Sequence, residues 1–98
     1  MKKVEWSKTA RKLLDKYCDY LAEESEAAAK KVRKELVLSA KKLCENPELY
    51  QLDEYYPDNP GTIRRFFRWQ YRVVYQVREN SVIILDVIHT SKKPDLLK

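Results

Sequence analysis

An α+β architecture in the order β-α-α-β-β-β, a helical hairpin packed on a small, mostly antiparallel sheet, is what this 98-residue chain should form. Three features say so. Two apolar stripes at helical spacing stand close together in the first half, residues 71–78 alternate with a period of two, and residues 82–88 are almost wholly apolar. Periods near 3.6 and 2 separate helix from strand. Helices gathered ahead of a run of strands suit a segregated α+β arrangement better than alternating βαβ units. Ninety-eight residues leave room for one core, so one domain over residues 1–98 is expected.

Lys2 to Trp6 is a short candidate strand with Val4 and Trp6 on one side. Ser7 follows as an N-cap, since its hydroxyl can accept from the first free amides of a helix. Ala10, Leu13, Leu14, Tyr17 and Leu21 then form an apolar stripe, with Lys8, Arg11, Lys12, Lys16 and Asp19 off it. Ser25 is a second N-cap, with Glu26 placed to favour the helix dipole. Ala29, Val32, Leu36, Ala40 and Leu43 form the next stripe, which Asn46-Pro47 ends. The link between the helices, about three residues long, makes them antiparallel neighbours. Glu48 to Gly61 should be a loop whose Leu49, Leu52 and tyrosines pack back on the domain, with Asp58-Asn59-Pro60-Gly61 as its turn. Strands follow at Ile63–Phe67, at 71–78 with Tyr71, Val73, Tyr75 and Val77 on one face, and at Val82–Ile88 as a central strand, with a turn at Glu79-Asn80-Ser81. The expected core is Leu13, Leu14, Tyr17, Leu21, Val32, Leu36, Leu43, Val73, Tyr75, Ile83, Leu85 and Val87.

Hydrophobic content of 44% with 36% charged residues fits a small folded domain and argues against disorder. No apolar run approaches the length of a membrane span, and the charged N-terminus lacks the apolar segment of a secretion signal, so a cytoplasmic protein without membrane contact is expected. Cys18 and Cys44 fall too far apart on a helical hairpin to bridge and are read as thiols. Their spacing and the single His support no metal site, and nothing calls for a cofactor.

The charge is uneven. From Thr62 to Lys98, eight basic side chains oppose three acidic ones, and 8 − 3 = +5 equals the net charge of the whole protein. Glu48, Asp53, Glu54 and Asp58 give the preceding loop −4 with no basic residue. Arg64, Arg65, Arg68 and Arg72 are therefore read as an anion-facing group, since a guanidinium fork matches both oxygens of a carboxylate or phosphate. With Lys92 and Lys93 they are the expected contacts to an acidic partner. The alternative is an ordinary solvated strand face with paired charges. His89, at the end of the last strand, could transfer a proton near neutral pH, though a strand-end His that fixes the tail is the commoner role. Tyr71 and Tyr75 sit at core-facing positions and are read as packing residues rather than base-stacking platforms. The basic residues of the second helix (Lys30, Lys31, Arg33, Lys34, Lys41 and Lys42) are read as a solvated face.

Arg65, the segment YRVVYQV at 71–77 and the ending HTSKKP at 89–94 resemble, across nearly the whole chain, the RelE/ParE superfamily of bacterial toxins. The loop DEYYPDNPGTIRRF at 53–66 is similar to that of one ParE-like group. The resemblance implies a growth-arresting toxin of a type II toxin–antitoxin or plasmid-stabilisation pair, in a hetero-oligomer with an antitoxin whose acidic, amphipathic tail wraps it. ParE-like members act on DNA gyrase and are not nucleases. RelE-like members cleave messenger RNA on the ribosome, and on that reading Arg72 would stabilise phosphate while His89 transfers a proton. The tail after His89 has no tyrosine, and Phe67 stands where RelE-like enzymes often carry a base. Both departures, with the IRRF segment and the HTSKKP ending, favour the ParE-like branch. A non-toxic basic interaction module is the further alternative.

Overall fold

The computed structural model describes residues 2–90. The order is β1 (Lys3–Trp6), α1 (Lys8–Ala22), α2 (Glu26–Lys41), a 3-10 turn at Lys42–Cys44, β2 (Ile63–Arg68), β3 (Tyr71–Val77) and β4 (Ser81–His89). Two helices lie on one four-stranded mixed sheet, in strand order β1-β4-β3-β2, which is the expected α+β fold. β1 runs parallel to β4, and the β4–β3 and β3–β2 pairs are antiparallel. No helix among the described residues is long and apolar enough to cross a membrane.

Both N-caps form. Ser25 Oγ accepts from the Ala28 amide at 3.1 Å. Ser7 Oγ accepts from the Ala10 amide at 3.0 Å and donates to the Leu85 carbonyl at 3.1 Å, so the start of α1 is tied to β4 as well as capped. Cys18 and Cys44 are thiols, not joined in a disulfide. Burial pushes the Cys18 thiol above its ordinary value.

The core lies between the helices and one sheet face. Ala10, Leu14, Leu36, Ala40 and Leu43 meet Phe66, Val73, Tyr75, Val82, Ile84 and Val87 there, with Leu13, Tyr17, Leu21 and Val32 packed at its margin. Tyr75 is fully buried, its hydroxyl donates to the Pro47 carbonyl at 2.8 Å, and burial pushes its pKa up to about 12. Two expected core residues, Ile83 and Leu85, belong elsewhere. Val74 faces Asp86 while Tyr75 faces Ile84, so Leu85 is an unpaired bulge residue, and Ile83 pairs with Gln76 on the other face. Both are only partly buried. A bulge inserts one residue and resets the inward parity, placing Ile84 and Val87 inside. A run apolar on both faces hides that shift, because its alternation carries no signal.

The loop before β2 also departs from expectation. Tyr50 packs its ring on Phe66, with centroids 5.3 Å apart, but Leu49, Leu52, Tyr55 and Tyr56 stay exposed. Polar contacts hold this loop instead. Asn59 Nδ2 donates to the carbonyls of Asp53 and Ile63, and its Oδ1 accepts from the amides of Gly61 and Ile63. The φ of 93° at Gly61 is one a side chain would resist.

Candidate functional site

Strand alternation decides what the arginines can do. In the β2–β3 pair, Arg64 lies opposite Tyr75, Phe66 opposite Val73 and Arg68 opposite Tyr71, all on the helix-facing side. Arg65 opposite Val74 and Phe67 opposite Arg72 fall on the other face. The four arginines are thus split two and two rather than joined in one patch.

Nor are they without local counter-charges, contrary to the sum over residues 62–98. Arg68 bonds Glu35 of α2 at 2.9 Å. Arg64 donates to the Tyr50 carbonyl at 2.6 Å and lies 4.0 Å from Glu48. Arg65 grips both oxygens of Glu54, at 3.0 and 2.9 Å. That fork, foremost through its hydrogen bonds, holds the Glu54 carboxyl below its ordinary value and raises Arg65. The acidic loop and Glu35 of α2 therefore neutralise the arginines of β2 between them.

Arg72 is the most enclosed of the four. It is 9% exposed and bonds Asp53, which is 2% exposed, at 3.2 Å. The Tyr55 ring lies 4.9 Å from its guanidinium carbon, and its Nε has no hydrogen-bond partner. Asp53 also accepts from the Tyr55 amide at 2.8 Å, a turn that aims its other oxygen at Arg72. Asp86 faces the same side of the sheet, opposite Val74, and burial raises its carboxyl above the ordinary value. Asp53, Glu54 and Tyr55 were not among the expected site residues. The signal that pointed to them was the −4 loop lying directly before a basic strand.

His89 is on the opposite face from Arg72. It pairs with Tyr71, whereas Arg72 pairs with Ile88, and neighbours along a strand point to opposite sides. Its ring stands edge-on to Tyr71, centroids 5.1 Å apart, and 6.2 Å from the Tyr17 ring. These three residues line a cleft of about 590 Å³ along α1, with Lys16, Tyr20 and Glu23 at its rim. The structure therefore does not bring Arg72 and His89 to one reacting centre. A second groove of about 350 Å³ lies between β1 and α2, lined by Val4, Trp6, Val37, Lys41 and Cys44. Lys92 and Lys93 lie outside the described residues. Among the described residues, no group of three or more His, Cys, Asp or Glu side chains is arranged to hold a metal ion.

A family model described as the ParE toxin of type II toxin–antitoxin systems, parDE, matches residues 4–94. Among solved structures, a chromosomal ParDE toxin–antitoxin system from P. aeruginosa is similar with a TM-score of 0.72. It is 22% identical and the match covers 91% of this chain and 96% of that one, a likeness of fold. No curated protein matches the sequence.

Proposed function

Because this chain belongs to the ParE toxin family of type II toxin–antitoxin systems, we propose that it is the growth-arresting member of such a pair, one toxin domain over residues 1–98 that acts on DNA gyrase. It works in the cytoplasm, in a plasmid-stabilising or growth-restraining system, and a cognate antitoxin holds it in a hetero-oligomer. The observation that supports gyrase over message cleavage is the separation of Arg72 from His89. Phosphoryl chemistry needs the stabilising charge and the proton donor within reach of the same atoms. Here the guanidinium is enclosed against Asp53 on one face of the sheet and the imidazole packs on two tyrosines on the other.

The antitoxin is a chain with an acidic, amphipathic tail. Its apolar side chains fit the groove beside Val4, Trp6 and Val37, while its carboxylates meet the exposed lysines of α2 and the turn after it, Lys34, Lys41 and Lys42. Arg64, Arg65, Arg68, Lys92 and Lys93 remain proposed contacts to antitoxin or target. For the three arginines, a partner carboxylate has to displace Glu48, Glu54 or Glu35. Purified protein is expected to slow supercoiling by gyrase and to leave ribosome-bound message intact. Codon-phased cuts in translated message, with supercoiling unaffected, would overturn the proposal.

A further inference from the structure

We propose that the β2–β3 turn, with Trp69 as its anchor and Phe67 beside it, is the surface that engages the target, and that this target is a protein offering an apolar pocket rimmed by basic side chains. The inference rests on the reading of the chain as a toxin with a protein target.

Trp69 opens the two-residue connection between β2 and β3 at a φ of 52°. Glycine or asparagine is favoured at such a position, and a side chain as large as indole is strained there. Burial does not offset that strain, because Trp69 is 47% exposed. Backbone strain without a packing return gathers where a side chain must be presented.

The ring is also held in place. The Arg68 guanidinium lies 4.8 Å from its centroid, and Glu35 fixes that guanidinium from α2. Phe67, also 47% exposed, is arranged the same way, with the Arg65 guanidinium 4.6 Å from its centroid and Glu54 fixing Arg65. Two half-exposed rings are thus ordered before any partner arrives, which lowers the entropic cost of binding. Trp and Arg are the residue types that dominate interface energetics.

Charge selects the occupant. Both guanidiniums beside the rings already hold carboxylates, those of Glu54 and Glu35. With its cations already paired, that surface attracts a phosphate backbone or an acidic antitoxin tail less than the exposed lysines of α2 do. A pocket with basic side chains at its rim complements it.

Trp69→Gly tests this, because glycine accepts the observed φ while removing the anchor. We expect a melting temperature no lower than wild type and antitoxin affinity within about twofold, with growth arrest and affinity for purified gyrase reduced by about thirtyfold, the size of an interface anchor. Phe67→Ser, at an exposed strand position, should lower the same two readouts and spare antitoxin binding. A folded Trp69→Gly protein that arrests growth like wild type overturns the inference. So does an equal loss of antitoxin binding, or a loss confined to binding of a single-stranded oligonucleotide. If wild type arrests growth without binding gyrase and Trp69→Gly does not arrest it, the turn keeps its role and the gyrase assignment fails.

Discussion

Removing the charge of Asp53 while keeping its shape should be among the most damaging conservative changes in this protein. The Asp53 side chain is fully shielded and that of Arg72 is 11% exposed. In Asp53→Asn the amide oxygen can still accept from the Tyr55 amide, so the turn survives, but Arg72 is left as an enclosed cation whose Nε already lacks a partner. Breaking a buried pair from one side costs about 3–5 kcal/mol. A domain of this size has a total stability of about 5–15 kcal/mol, so the loss is a large share. With an m-value of about 2 kcal/mol per molar urea, the unfolding midpoint should fall by about 2 M. Arg72→Met alone strands the carboxylate and should cost a similar amount. The double variant Asp53→Asn/Arg72→Met removes both charges, and it should lie within about 1–2 kcal/mol of wild type. Urea denaturation of the four proteins closes the cycle and should give a coupling of several kcal/mol. Single variants that each lose under about 1 kcal/mol would show that water reaches the pair and that it does not clasp the loop. The double variant also separates stability from chemistry: if Arg72 is structural, the refolded double variant still arrests growth. A folded but inactive double variant would mean that Arg72 contacts the target.

Three further outcomes follow from named contacts. Ser7→Ala should cost about 1–2 kcal/mol in urea unfolding, since it removes both a helix cap and the hydroxyl bonded to the bulge carbonyl of Leu85. Tyr75→Phe leaves the Pro47 carbonyl without its donor and should cost about 1 kcal/mol; in wild type, absorbance titration should show one tyrosine ionising at about 12. Asp86 has a folded pKa raised by burial, so its contribution to stability is full below its unfolded pKa and is lost as pH rises through the folded one. Asp86→Asn should therefore raise the urea midpoint at pH 7, and the gain should vanish near pH 3.

What could be read in the chain was whatever local periodicity encodes. The stripes from Ala10 to Leu21 and from Ala29 to Leu43, the caps at Ser7 and Ser25, and the alternation from Tyr71 to Val77 each follow from contacts within a few residues, and the structure has them as expected. The parity of β4 could not be read, because Val82 to Ile88 is apolar on both faces and a single unpaired residue, Leu85, decides which side chains point inward. The loop misled for a related reason. Leu49, Leu52, Tyr55 and Tyr56 are apolar enough to pack, yet Asn59 and the two carboxylate clasps hold the segment without burying them.

The site shows why a charge summed along the sequence is a poor guide to a charge presented in space. Asp53 and Arg72 are 19 positions apart and Glu35 and Arg68 are 33, so counting over residues 62–98 set each cation apart from its own counter-ion. Alternation contained part of the answer, since Arg64 and Arg65 are neighbours on a strand and must point to opposite sides. The −4 loop contained the partners of Arg64, Arg65 and Arg72, because a short acidic segment leading into a basic strand meets it at a small cost in closure entropy, whereas Glu35 on α2 gave no such signal. Once the pairs form, what the arginines present is less their charge than the rings they support. Phe67 and Trp69 remain half exposed because the guanidiniums that could bind an anion brace them instead. An arginine cluster next to exposed aromatics thus has two possible outputs, an anion site or a stiffened aromatic ridge, and the carboxylates within reach decide between them. Here Glu35 and Glu54 decide for the ridge.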